Sequence, residues 1–161
     1  MEITFDGGKI ITAHLNGHEI RTDQPIDNGG GNSAPAPFDL FLASIGTCAG
    51  IYIKSFCDRR QIPTDGIKII QTMKFDEVKK VPGEISLDIQ LPAGFPEKYR
   101  DAVINAAELC LVKKTISSQP EFKVIILITF SFFQPKTKII DFRVYKIYLF
   151  FSVPGKSDYL Y

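Results

Sequence analysis

Three cysteines, Cys48, Cys57 and Cys110, are the residues of this chain best suited to covalent chemistry. A thiolate attacks electrophilic oxygen or sulfur, and two thiols that meet can close to a disulfide and be reopened by a third. Three is too few, and odd, for a secreted disulfide framework. In a reducing compartment an isolated cysteine is either a small buried hydrophobe or a reactive thiol. The other chemistry is weaker. His14 and His18 straddle Asn16-Gly17 and project from opposite faces of one hairpin, so they make no metal pair. With both histidines in that hairpin no Ser-His-Asp arrangement assembles. Gly29-Gly30-Gly31 lacks the lysine and the strand–loop–helix setting of a phosphate loop.

The elements that position the thiols follow from pattern. Lys9–Leu15 and His18–Asp23 are β-rich and flank Asn16-Gly17, a strong hairpin signal because both central positions require positive φ. Asp23–Pro37 gathers three glycines in a row and three prolines and reads as an irregular loop. A helix starts near Pro37, where the missing N–H costs nothing. From Phe38 to Cys57 it is apolar nearly all round and is expected to be buried on most faces. Ile67–Val78 and Glu84–Leu91 alternate as a second hairpin about Pro82-Gly83. A second helix opens at Gly94-Phe95-Pro96-Glu97, and Tyr99, Val103, Ala106, Ala107 and Cys110 lie on one stripe of it. Leu111–Ser118 reads as a short helical turn and Pro120–Ile128 as a last strand. The order βββ-α-ββ-α-β implies an α+β domain with helices packed on antiparallel sheet.

The 161 residues are 45% apolar and 23% charged, with a formal net charge of +1. That is ordinary globular composition and carries no nucleic-acid footprint. The N-terminus has no secretory signature, and Leu40–Ile53 and Val124–Phe133 fall short of the ~20 residues a bilayer requires. A cytoplasmic protein without a membrane span is expected. Beyond residue 125 the composition changes: Phe and Tyr make up ten of the last 36 residues. A domain over 1–125 and an aromatic extension over 126–161, with a hairpin about Gln134-Pro135, are expected.

The cysteines are not equivalent. Cys57 lies nine residues beyond Cys48, half a turn round the helix and ~13 Å along it, so the two cannot pair in an intact helix. Cys110 closes the second helix on its buried stripe, where two buried helices could bring it to Cys48. A thiolate at a helix C-terminus faces partial negative charge, so Cys110 is expected to be the weaker nucleophile. Cys48 sits eleven residues into its own helix and is expected to need a cation. Arg21, on the strand before the glycine loop, is the candidate. Ala43, Ser44, Gly46, Thr47, Ala49 and Gly50 surround Cys48 with small side chains, which admit either a backbone or a substrate.

Ser33-Ala34-Pro35-Ala36-Pro37-Phe38-Asp39-Leu40-Phe41-Leu42-Ala43-Ser44-Ile45-Gly46-Thr47-Cys48 resembles the first signature of the OsmC/Ohr family. Ala107-Glu108-Leu109-Cys110-Leu111-Val112-Lys113-Lys114-Thr115 resembles its second, with Leu111 where a proline and Lys113 where a histidine usually stand. The resemblance implies antiparallel sheet packed on two long helices in an intertwined homodimer, with active sites at the subunit interface. It implies a cofactor-free, metal-free hydroperoxide reductase. Cys48 would attack the peroxide, Cys110 would resolve, and a dithiol, lipoyl-type in some members, would reduce the disulfide. By position Arg21 and Asp39 would orient the reactive thiol. On an ideal helix, however, Asp39 points 180° from Cys48, and its plain role is charge at the helix N-terminus. A binding protein or disulfide-exchange protein using the same cleft is the alternative.

Overall fold

Asn16 and Gly17 take φ of 51° and 81°, the left-handed values that asparagine and glycine adopt at least cost. They join β2 (Ile11–Leu15) to β3 (His18–Thr22), and β1 (Glu2–Phe5) pairs with the other side of β2 in an antiparallel sheet ordered β1-β2-β3. In its register Thr12 faces Arg21 and His14 faces Glu19. The computed structural model describes residues 1–127, and the expected hairpin about Gln134-Pro135 lies outside them.

Helix α1 (Pro37–Asp58) begins with proline at its first position, as expected. Asp39 anchors that end: its carboxylate accepts the Ala36 N–H at 3.1 Å, a favourable place for negative charge. A second antiparallel pair follows, β4 (Lys68–Asp76) with β5 (Val81–Gln90). Its turn lies at residues 77–80 rather than at Pro82-Gly83. Asp76 makes the turn by accepting the Val78 and Lys79 N–H groups at 3.0 and 2.9 Å. Pro82 and Gly83 lie inside β5, beside the register slip between Lys74 and Phe75, where a missing donor and a missing side chain are tolerated.

After a 3-10 turn at Glu97–Tyr99 come α2 (Arg100–Glu108) and α3 (Leu111–Ser117). The expected strand from Pro120 does not form over residues 120–127. The compact unit that carries all the elements above runs from Met1 to Gln119.

The core joins α1 to α2: Ala49, Ile53, Phe56 and Cys57 pack with Val103, Ala106 and Ala107, closed by Ile62, Phe95 and Cys110. Tyr99 meets Phe56 edge-on at 5.9 Å between ring centroids. Burial of α1 is narrower than its composition suggests. Ile45, Ala49, Ile53, Phe56 and Cys57 are buried, whereas Ile51 is 59% exposed and Phe38 and Phe41 are also exposed. The neighbours of α1 explain this, because α2, α3 and β4 do not surround it. At 22 residues it is long and apolar enough, by length and composition alone, to cross a bilayer. Its ends extend the Leu40–Ile53 run, and in this fold it is the helix on which the core is built.

Candidate thiol site

The site begins nearly two turns before Cys48. Gln71, on β4, donates its Nε2 to the Leu42 carbonyl at 3.0 Å. It reaches that carbonyl across Gly46, where a Cβ would lie 2.9 Å from the Gln71 Oε1. The absent side chain at residue 46 therefore lets the sheet grip α1 immediately upstream of the half-buried Cys48.

Cys110 arrives from the opposite side. Its position differs from the expected helix end: α2 stops at Glu108, and Cys110 is the N-cap of α3. Its sulfur accepts the Lys113 N–H at 3.5 Å, and its S–H points to the Ile45 carbonyl at 3.9 Å. Ile45 is one turn from Cys48 on the same helix, so residues 62 positions apart in the chain become neighbours.

The two thiols have unlike surroundings. The Val112 N–H holds the Cys48 thiol below its ordinary range against the opposing effect of burial; the Cys110 S–H and the Leu111 N–H add to it. Amides at the start of α3 thus supply the positive field for which a cation was expected. Burial pushes the Cys110 thiol up, opposed by the Lys113 N–H and reinforced by the Cys48 sulfur, which accepts the Cys110 S–H, and by its charge. Cys110 is the weaker acid because it is buried, and it caps α3 rather than ending α2.

Arg21 and Asp39 do not figure in the field at Cys48 among the described residues of one chain. Arg21 is exposed on β3 opposite Thr12, and its charge adds, after the Thr12 hydroxyl, to holding the Asp6 carboxyl below its ordinary range. Asp39 is exposed at the start of α1. Cys57 is fully buried, and burial followed by the Asp58 charge raises its thiol. No cluster of three or more metal-ligating side chains occurs among the described residues.

Sequence reasoning missed Asp23. It is buried, and its carboxylate accepts the N–H groups of Gln24, Gly31 and Ser33 and the Ser33 hydroxyl, the last at 2.7 Å. These donors, led by the Ser33 N–H and hydroxyl, lower its pKa to about 2. Asp23 thereby folds the glycine loop that leads into α1. Its only signal was an acid placed between a strand and a run of glycines. Also missed was the ion pair of Glu108 with Lys113, at 2.6 Å. A cavity of about 590 Å³ is lined by Ile45, Leu87, Ile89, Ile104, Ala107 and Lys113 among others, and neither thiol lines it.

The arrangement supplies an acidified, accessible sulfur beside a buried, protonated one. Comparison with known proteins agrees with the resemblance read from the two cysteine segments. Residues 30–125 match the family model described as OsmC-like protein. No curated protein matches. Among solved structures, one from Psychrobacter arcticus 273-4, assigned to osmotic stress induction and detoxification response, aligns with TM-score 0.61 and 26% identity over 71% of this chain and 85% of its own. A hypothetical protein from Aquifex aeolicus VF5 aligns with TM-score 0.56 and 22% identity over 73% of this chain and 86% of its own, a likeness of fold. With the family model spanning more than half of the sequence and both cysteines inside it, the chain belongs to the OsmC-like protein family.

Proposed function

We propose that this protein is a cytoplasmic thiol peroxidase of peroxide-stress defence that reduces organic hydroperoxides or hydrogen peroxide through Cys48 and Cys110. The carrying observation is the unequal thiol pair, one lowered and reached by backbone donors, the other buried and raised. The Psychrobacter protein's assignment to detoxification response supports the same direction.

The Cys48 thiolate attacks the terminal peroxide oxygen. The O–O bond breaks, the alkoxide takes a proton and leaves as an alcohol, and Cys48 becomes a sulfenic acid. Cys110 then attacks that sulfur through its own sulfur. Its proton and the hydroxyl leave as water, and a Cys48–Cys110 disulfide remains. A dithiol reductant, lipoyl-type being one class, restores both thiols by exchange and is itself oxidised to a disulfide. No cofactor or metal enters these steps.

In this reading the working unit is a homodimer. The exposed Phe38, Phe41 and Ile51 of α1 and Ile70, Met73 and Phe75 of β4 are apolar surface that a second copy would cover. Arg21, on an exposed strand, is then the proposed orienting cation in a site shared between copies, with Asp39 at the helix entry.

The test is cumene hydroperoxide added to the reduced full-length protein, followed by disulfide mapping and a peroxide-consumption assay. A Cys48–Cys110 bond, and loss of consumption in Cys48→Ser, are expected. Consumption that survives Cys48→Ser removes the peroxidase reading. If the bond forms with a small disulfide but not with peroxide, the protein is a disulfide-exchange protein. Light scattering during gel filtration tests the dimer.

A further inference from the structure

Glu108 is the last residue of α2 and Lys113 the third of α3, and their side chains meet across the break between the helices, Oε2 to Nζ, at 2.6 Å. Cys110 lies between them. Lys113 is therefore anchored twice, through its ammonium to Glu108 and through its N–H to the Cys110 sulfur. α3 has little else to hold it. None of its seven residues is buried, and Val112 alone packs against the core. Leu111 and Val112, whose N–H groups lower the Cys48 thiol, are confined to the stretch between these two anchors.

We propose that the Glu108–Lys113 ion pair is a positioning clamp that closes the α2–α3 turn around Cys110 and keeps the Leu111 and Val112 amides aimed at the Cys48 sulfur. Neither side chain touches the reacting atoms; both act through the backbone they tie together. The proposal deepens the thiol reading and rests on it for its meaning in turnover, while its test reads Cys48 directly.

The sign of one substitution separates a clamp from a simple charge effect. If the Glu108 carboxylate acted through space, Glu108→Gln would remove a negative charge and make the Cys48 thiolate easier to form. If it acts by holding the turn, the same change lets the amides drift and makes the thiolate harder to form. Lys113→Met gives the same sign by either route and decides nothing. The field at Cys48 is otherwise simple: α1 and β4 bring no charged side chain that figures in it, and Cys110 is the titratable group that bears on it from the α2–α3 junction.

The experiment is alkylation of Cys48 by iodoacetamide in the reduced full-length protein, followed by mass spectrometry across the neutral and alkaline range. Glu108 is 62% exposed, so Glu108→Gln leaves the fold intact. It is expected to move the profile to higher pH and slow neutral alkylation about threefold, the scale of a half-exposed ion pair. The swap Glu108→Lys with Lys113→Glu, and the single Lys113→Arg, keep a pair and are expected to retain the native profile. Faster or unchanged alkylation in Glu108→Gln overturns the clamp, as does a swap that stays slow. A lowered melting temperature with an unmoved profile makes the pair a structural strut and overturns it too. If the profiles behave as expected while peroxide is not consumed, the clamp stands and the peroxidase reading falls.

Discussion

Helix α1 carries two cysteines, nine residues apart, in unlike surroundings. Cys57 faces Ile53, Phe56, Ile62 and Val103 in the best-packed part of the molecule, and its thiol is raised. Cys48 is half-buried beside a turn, and its thiol is lowered. Neither the helix nor apolar content separates them, since both sit in the same apolar stretch. What differs is the company. Cys57 meets side chains and a neighbouring carboxylate at Asp58, whereas Cys48 meets the free N–H groups at the start of α3. The packed core is concentrated around one cysteine, and the backbone donors around the other.

The strongest way to break that division is to damage the Cys57 half. Phe56 is 6% exposed and is capped by the Arg60 guanidinium, 3.9 Å from the ring centroid. Phe56→Ala should cost about 3–5 kcal/mol in denaturant unfolding. The alkylation rate of Cys48 in the native fraction should stay unchanged. If that rate falls in step with stability, the two halves are one unit and the division is false.

The next effect is the contrast itself. In native reduced protein at neutral pH, iodoacetamide should modify Cys48 on the order of 100-fold faster than Cys57 or Cys110, through thiolate fraction and access together. In denaturant the three rates should converge. Comparable native rates would mean that the α3 amides do not govern Cys48. A smaller effect comes from Cys57→Ala, which removes one sulfur from a packed site and should cost about 1 kcal/mol. Peroxide-driven disulfide formation between Cys48 and Cys110 should proceed at the native rate, and a shift in it would make Cys57 a participant.

Much of this frame was legible in the sequence. Pro37 marked the start of α1, Asn16-Gly17 marked a turn, and the spacing of Val103, Ala106 and Ala107 marked the buried stripe of α2. The features that went unread depend on groups without a letter of their own or on distant partners. The field at Cys48 comes from backbone amides of residues that look like ordinary apolar positions. The break between α2 and α3 has neither proline nor glycine to announce it, so Cys110 reads as a helix end although it is a cap. The hairpin turn went to Asp76 because a carboxylate gathering two amides outweighed the Pro-Gly signal. The one-sided burial of α1 follows from how few elements cover it, which its uniform composition conceals.

The mildest effect is silent at neutral pH and concerns how the Cys48 half is approached. Asp23 ties residues 24–33 into the loop before α1, and its N–H also donates to the Pro35 carbonyl at 3.3 Å. Its pKa is lowered from 3.8 to about 2 in the folded protein. A carboxyl with a depressed folded value binds its proton more readily when unfolded. Its contribution is therefore complete above the unfolded value and is lost as pH falls through the folded one. The window is acidic, from about 4 down to about 2. Within it, amide hydrogen exchange should rise over residues 24–36 before it rises over the Cys57 half of α1, because the loop loses its organising acceptor while the core loses nothing. Asp23→Asn should show the loosened loop at every pH and flatten this acid step. If the variant keeps the native acid step, another carboxyl governs the loop, and the entry to α1 is held by something other than Asp23.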